Sequence, residues 1–523
     1  MSSLPRSTPE AQGLSSTALD TFVAALDAGD PEIQTVMLLR SGHVVLEEAW
    51  SPYRLTDPHL LFSVSKSFTS TAIGLAIDAG LLTLDDPVIS FFQADELPAT
   101  ISDNLAAMTV RHLLTMTTGH AKDTVEALGR DRRMVRTFLS LDVEHEPGTV
   151  FVYNSGATYM LSAILQRLTG SSLLDYLRPR LFAPLGIDEA SWQVSSEGIT
   201  VGGWGLSTNT ESLARFGQLV LQRGVWAGEQ LVPAEWFEAA TSKQVANDNQ
   251  ENPDWKQGYG FQFWRGRHNT YRGDGAFGQF CLIFPDYDAV LVTTSATNDM
   301  QAILTTVWDH LLPALEAKEV TPVPRPTHLH LPPPTTPSIA TPSASPNSAP
   351  ATDSAPPAPA TPFADSAVAA SVSAATDPAP TAAAPTADAP SAGFGPAARY
   401  GRTFRFAANE AGLEAARLDA DGTGTFTFSG LEPGATGTVD LVCAPGDWQE
   451  HRAVGVLKEA DPAIGQRLVT SAYTDGDRFV ATIRFLETPF VLTLTCHPPT
   501  DTLTIDVTQN VSFGPTAFTL TSM

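Results

Sequence analysis

Nineteen of the 40 prolines in this 523-residue chain lie between residues 321 and 396, and that run divides the molecule. The prolines are mixed with Ala, Thr and Ser, with no lysine and one arginine. Such a stretch buries too little apolar surface to offset chain entropy. Residues 319–397 are therefore predicted to be a disordered, semi-stiff linker between two folding units, 1–318 and 398–523. A chain of this length exceeds one ordinary core in any case. His328 and His330 within the linker are read as incidental, because two ligands on an unstructured segment do not make a coordination shell.

The first unit mixes two periods. Helical spacing of apolar residues runs over 16–28, 63–79, 110–117, 157–168, 210–222, 233–240 and 300–315. Strand patterns fall at 35–48 and again at 260–264, 269–272, 279–284 and 289–294. Strand groups at the two ends of one unit suggest an antiparallel sheet closed by N- and C-terminal strands and covered by helices, an α/β (α+β) fold class. The second unit alternates in short runs at 401–407, 423–429, 438–443, 478–485, 491–496 and 502–508, with turn pairs such as Asp421-Gly422 and Asp475-Gly476 between them. It reads as an all-β sandwich or barrel. No catalytic motif stands in it, which leaves a packing or spacer role or a ligand-binding or substrate-gating one.

A net charge of −26 argues against nucleic acid or an anionic membrane surface as partner. The three cysteines, Cys281, Cys443 and Cys496, are far apart and give neither a disulfide framework nor a metal site. Cys281 reads as a small buried hydrophobe. The first six residues, Met1 to Arg6, lack an apolar h-region, and no run of 18 apolar residues occurs. Neither a signal peptide nor a membrane span is indicated, so the expectation is a cytoplasmic protein. Nothing in the sequence sets an oligomeric state.

Chemistry enters at Ser63-Val64-Ser65-Lys66. Residues three apart on a helix share a face, so the amine of Lys66 can reach the Ser63 hydroxyl. Serine is a weak nucleophile and needs such a base. The amphipathic run from Ser63 to Ala79 has a buried stripe in Phe68, Ala72 and Leu75, and Gly80 stands as its stop. Ser63 is placed in the first turn, where unpaired N–H groups and the positive dipole end favour an oxyanion. With 38 serines and six lysines, roughly half a chance Ser-x-x-Lys is expected, so the surroundings must carry the weight.

Two further segments supply them. Phe151-Val152-Tyr153-Asn154-Ser155 precedes a helix near Gly156. Tyr153 can shuttle a proton to a leaving group if a cation such as Lys66 holds down its pKa; alone, it reads as a half-buried strand-end aromatic. Tyr271 to Gln279 is a glycine-rich strand entry. Interior strand glycines mark a close approach of ligand to backbone, or a hairpin bend.

Together these segments resemble the serine β-lactamase and penicillin-binding-protein superfamily, in particular the class C-like hydrolases that include esterases, D-amino-acid peptidases and amide hydrolases. The order Ser-x-x-Lys, Tyr-x-Asn, then Lys-Thr-Gly on a strand is that family's signature. Further matches over residues 8–315 include Leu61 to Phe68, Leu82 to Val88, Thr109 to Gly119 and Gly202 to Ser207. The C-terminal unit resembles the β-rich appendage of some of these hydrolases, with Glu487-Thr488-Pro489 and Asn510-Val511-Ser512-Phe513-Gly514.

The resemblance implies a class C β-lactamase-like fold with a helical subdomain. It implies Ser63 as the acylated nucleophile, and Lys66 and Tyr153 as the acid–base pair. The oxyanion hole would come from the backbone N–H groups of Ser63 and Ala276. Gly273-Asp274-Gly275 falls at the Lys-Thr-Gly position; the register Arg272-Gly273-Asp274 would restore a cation. Substrate-binding candidates are Asn154, Ser155, Arg272, Gly273, Asp274, Gly275 and His120. Asp274 would either favour a cationic substrate or cap the turn.

Two departures from the family pattern stand out. Tyr-x-Asn reads Tyr153-Asn154-Ser155, and the strand lysine that holds a penicillin carboxylate is absent in the Gly-Asp-Gly register. Both favour an esterase or amidase acting on a small ester or amide substrate. The alternatives are a D-amino-acid peptidase or weak β-lactamase, and a penicillin-binding or sensor protein that acylates without turnover. No cofactor and no metal site is expected, since neither a phosphate-binding loop nor ligand spacing occurs.

Overall fold

The computed structural model describes residues 3–317, 400–409, 411–429, 438–453 and 466–523. The proline-rich linker and its two histidines lie outside the described residues.

The N-terminal unit is built on one six-stranded antiparallel sheet. Its strands are β1 (Glu32–Arg40), β2 (His43–Ala49), β3 (Trp264–Arg265), β4 (Tyr271–Gly275), β5 (Gln279–Phe284) and β6 (Ala289–Ala296), in the spatial order β2-β1-β6-β5-β4-β3. β1 and β6 meet at the centre, with Leu38 opposite Leu291. The apolar run Val36-Met37-Leu38-Leu39 is fully buried there, as a strand covered on both faces must be. The β1–β2 turn, Ser41-Gly42, has both residues left-handed (φ 49° and 73°), which matches strand twist. The closed sheet expected from the sequence is thus the fold observed, although strand patterning at 260–264 survives only as the short β3.

Helices α1 (Ser16–Ala28), α2 (Ser65–Asp78) and α4 (Thr210–Leu221) pack against this sheet, and α3 (Ser155–Thr169) packs on α2. α2 was expected to be amphipathic. It is instead buried on nearly all sides, including Ser67, Thr69, Ser70 and Thr71. Part of its polar face is satisfied internally: Thr69 Oγ1 donates to Gly202 C=O at 2.8 Å and Ser67 Oγ to Gln262 C=O at 2.9 Å. Short helices at Asp103–Ala107, Val110–Leu114, Val125–Gly129 and Met134–Ser140, with α3, form the helical subdomain.

The C-terminal unit is all-β, in sheets of four and six antiparallel strands. They share one core, in which Phe404, Phe426 and Leu441 pack with Phe479, Leu494 and Ile505. Met523 N–H donates to Arg405 C=O at 2.9 Å, joining the end of the last strand to the first. The strand Leu413–Leu418 carries the helix-prone sequence LEAARL and gave no strand signal; pairing on both sides overrides its propensity.

The two units touch closely. Leu60 N–H donates to Glu487 C=O at 2.8 Å, and Arg467 and Arg484 form ion pairs with Asp57 and Glu32. Leu60, Phe62 and Phe277 of the N-terminal unit belong to the core of the C-terminal one.

Candidate active site

Ser63 lies in a 3-10 turn, Phe62–Val64, that leads into α2, so the expected first helical turn is tighter than an α-helix. Its amide precedes any intrahelical acceptor. Lys66 follows one turn later and is 1% exposed. Its Nζ stands 3.0 Å from Ser63 Oγ, 3.1 Å from Ser155 Oγ and 2.6 Å from Gly203 C=O. Gly203 reaches in because it has no side chain: a Cβ there would sit 2.8 Å from Ser155 C=O. The sequence pointed to Gly202 to Ser207 only as a matching stretch, and the role of the Gly203 carbonyl went unread.

Tyr153 completes the cluster. Its ring stacks on Trp264 at 5.3 Å and lies 4.8 Å beneath Lys66 Nζ, with Ser63 beside its hydroxyl. Burial raises its pKa, the Ser63 contact opposes this, and the carboxylates of Asp274 and Asp123 raise it further. The expectation that Lys66 holds the phenol down is not met: Lys66 Nζ sits over the ring face, and burial outweighs what lowers the pKa of the hydroxyl.

Asn154 and Ser155 part company. Asn154 is fully buried and its Oδ1 accepts from Thr124 N, Thr124 Oγ1 and Ala157 N, so it caps α3 and has no oxygen left for substrate. Ser155 faces Lys66 instead. Asp123, which the sequence reading missed, accepts at Oδ1 from Ser155 N at 2.9 Å and Val125 N at 3.0 Å. Among the described residues its Oδ2 is buried with no hydrogen-bond partner, and burial pushes its pKa up against the hydrogen bond from Val125 N and the pull of Lys66. An isolated aspartate in a loop carries no motif, so only the fold shows it.

β4 passes close to the nucleophile's turn. A Cβ on Gly275 would lie 2.2 Å from Leu61 C=O, and one on Gly273 would lie 3.1 Å from Ser67 Oγ. These glycines are explained by the approach of β4 to residues 61–67, a protein contact where the sequence reading had a ligand. Arg272 and Asp274, two apart on one strand face, pair with each other: Arg272 Nε donates to Asp274 Oδ2 at 2.8 Å. Arg272 also donates to Asp254 C=O and lies over Trp255. It is fully buried and does not replace the missing strand cation. Asp274 neither caps the turn nor stands as a free anion; burial holds its carboxyl above the ordinary range in spite of Arg272.

His120 contacts Thr118 Oγ1 through Nδ1 at 2.9 Å and packs on Phe138. Burial brings its pKa down to about 4, which makes it a neutral ring packed beneath the loop. Flanking the expected oxyanion amides are Phe62 and Phe277, both buried and both left-handed (φ 47° and 65°). Such backbone is rare for bulky residues and costs about 1–3 kcal/mol each time.

Comparison with known proteins matches residues 23–312, more than half of the chain, to the family described as Beta-lactamase. The chain belongs to the beta-lactamase family. Among relatives of this beta-lactamase-family chain, the 6-aminohexanoate-dimer hydrolase of Paenarthrobacter ureafaciens is 27% identical over 286 residues, covering 50% of this chain and 72% of that protein. The lovastatin esterase of Penicillium rubens is 27% identical over 208 residues, covering 33% and 51%. A solved structure from Bacillus anthracis, provisionally described as a 6-aminohexanoate-dimer hydrolase, aligns with TM-score 0.50 at 20% identity, over 60% of this chain and 88% of that one. That likeness concerns the fold. Among the described residues no helix is long and apolar enough to cross a membrane.

Proposed function

We propose that this chain is a serine hydrolase working through an acyl-enzyme on small carboxylic esters or amides. The observation that carries the reading is the 3.0 Å contact of Lys66 Nζ with Ser63 Oγ inside a buried cluster. Gly203 C=O can only accept, so it takes one amine N–H, and Ser155 takes a second. As the free amine, Lys66 then turns its lone pair toward Ser63.

Ser63 Oγ attacks the substrate carbonyl carbon while its proton passes to Lys66. The negative charge collects on the carbonyl oxygen, where the amides of Ser63 and Ala276 meet it. Tyr153, kept protonated by burial, gives its proton to the departing alcohol or amine, and the Lys66 ammonium restores it. Water then attacks the acyl-enzyme by the same proton path in reverse. The pairing of Arg272 with Asp274 leaves no strand cation for a penicillin carboxylate, which supports esters and amides over β-lactams. The relatives' names, a dimer hydrolase and an esterase, support hydrolysis.

Short-chain p-nitrophenyl esters, small amides and nitrocefin are the test panel, with intact-mass detection of adducts. Ester or amide turnover well above nitrocefin, with an acyl adduct on Ser63, is expected. Nitrocefin turnover at the ester rate would return the chain to the β-lactamases, and an adduct that never turns over would make it a sensor.

A second reading, a substrate bearing a free amino group, is favoured by the unpartnered Asp123 Oδ2 beside Ser155. Asp123→Asn keeps the Oδ1 acceptor and removes the charge. On this reading it lowers kcat/KM for an aminoacyl amide about tenfold or more, relative to a neutral ester, since a charged hydrogen bond contributes about 1.5–3 kcal/mol. Equal effects on both substrates would rule it out.

A further inference from the structure

The C-terminal unit reaches the residues next to both candidate oxyanion donors. Phe62 immediately precedes Ser63, and Phe277 immediately follows Ala276. Their rings meet edge to face at 5.3 Å. Phe490 and Phe513 close over this pair from the C-terminal unit. Phe490 lies 6.2 Å from Phe62 and 5.9 Å from Phe277, and Phe513 lies 5.9 Å and 4.7 Å from the same two rings. The four rings form one apolar cluster, with Ala276 packed against it.

Both N-terminal members hold a left-handed backbone that a phenylalanine does not adopt unaided. A conformation of that kind persists only where its surroundings over-determine it. For Phe277, part of the restraint is local, since its C=O accepts from Ser295 Oγ at 2.9 Å and Thr297 N at 3.2 Å. For Phe62 too, part is local, since its C=O accepts from Ser65 Oγ at 2.5 Å and from Ser65 N–H; the rings packed on its side chain are Phe277 and the two C-terminal phenylalanines. Rotation of either backbone toward an ordinary φ would swing the neighbouring amide, at Ser63 or at Ala276. An oxyanion donor acts only when it is aimed at the position of the developing charge, and a shift of about 1 Å there is enough to cost a large part of its effect.

We propose that the C-terminal β-unit is a working part of the active site, with Phe490 and Phe513 as positioning residues that lock the Ser63 and Ala276 amides through Phe62 and Phe277. This rests on the acyl-enzyme reading above. It gives the appended unit a role other than spacer or packing module, and that role requires no contact between Phe490 or Phe513 and substrate.

The test compares the full-length protein with Phe513→Ala and with the double variant Phe490→Ala/Phe513→Ala, on a p-nitrophenyl ester. Phenylboronic acid serves as the probe of the tetrahedral state, because its adduct with a serine hydroxyl places oxygen where the oxyanion would lie. The expected result is a kcat reduced about 10- to 100-fold in the double variant, KM within about twofold, and phenylboronate inhibition weakened in parallel with kcat. Phe490→Leu/Phe513→Leu, which retains bulk, is expected to recover most of the loss. Thermal unfolding identifies any variant that fails to fold, and Phe513→Ala then carries the test, since Phe513 is only partly buried.

Unchanged kcat and boronate affinity in folded variants would overturn the proposal. So would a rise in KM alone, which would make these residues a substrate wall. Labelling of Ser63 by a fluorophosphonate, read by mass on the same preparations, separates the two levels of inference. Labelled Ser63 with unchanged kcat overturns the positioning role alone, whereas no labelling of the wild type overturns the nucleophile assignment beneath it as well.

Discussion

Ser63→Ala is expected to remove ester turnover almost entirely, by about a million-fold in kcat if the hydroxyl is the acylated group. Alanine deletes one oxygen, and with it the bond-forming atom and one contact of Lys66. The fold should survive. Ser63 is buried at 6% exposure in a turn whose backbone is set by Phe62 and α2, and Lys66 keeps Ser155 and Gly203 as partners. Thermal unfolding unchanged to within a few degrees, together with loss of the acyl adduct by intact mass, would establish that chemistry and not folding was lost. Residual turnover within about a hundredfold of wild type would show that another group attacks.

The second large effect is expected at Lys66. Methionine nearly preserves the volume of the side chain and removes its base. General base catalysis contributes about 10²–10⁴-fold, and here the same amine also receives the proton that Tyr153 must recover. Lys66→Met should therefore reduce kcat/KM toward the upper end of that range, with acyl adduct forming slowly if at all. Stability is pulled two ways. An apolar side chain of similar volume is tolerated in a packed site, while Gly203 C=O and Ser155 Oγ each lose a donor, at about 1–3 kcal/mol for an unsatisfied group. A loss of less than tenfold would move the base role to Tyr153, which burial keeps in its protonated form and which is poorly suited to it.

Local chemistry was legible because it is written within one or two turns of chain. Ser63 and Lys66 are brought together by helical geometry that their spacing already dictates, and Tyr153 is delivered by the entry to α3. The antiparallel sheet was legible too. Strand patterns at 35–48, 279–284 and 289–294 stand at the two ends of the first unit, and there β1 pairs with β2 and β5 with β6 as antiparallel neighbours.

Other parts were not legible, and their causes are specific. Asn154 was offered as a substrate contact because it sits beside Tyr153, yet the open N–H groups at the start of α3 claim its oxygen. Arg272 was offered as a cation for the site, yet a strand places it on one face with Asp274, and two buried opposite charges pair. The glycines of β4 suggest ligand approach or a hairpin bend, yet the nearest atoms belong to Leu61, Val64, Ser67 and Gln279. Leu413–Leu418 became a strand because two neighbours paired with it, against its own propensity.

Sequence alone thus determined the reactive pair, the order of the motifs, the sheet closed by the two ends of the first unit and the β character of the second. Each of these depends on neighbours in the chain or on a periodicity that survives translation along it. Tertiary structure alone decided that Gly203 supplies a carbonyl to Lys66, that Asp123 stands beside Ser155, and that Phe490 and Phe513 close over Phe62 and Phe277. These groups come from segments tens to hundreds of residues apart. No local preference encodes their meeting, which is set by packing within the N-terminal unit for Gly203 and Asp123 and by packing between the two units for Phe490 and Phe513.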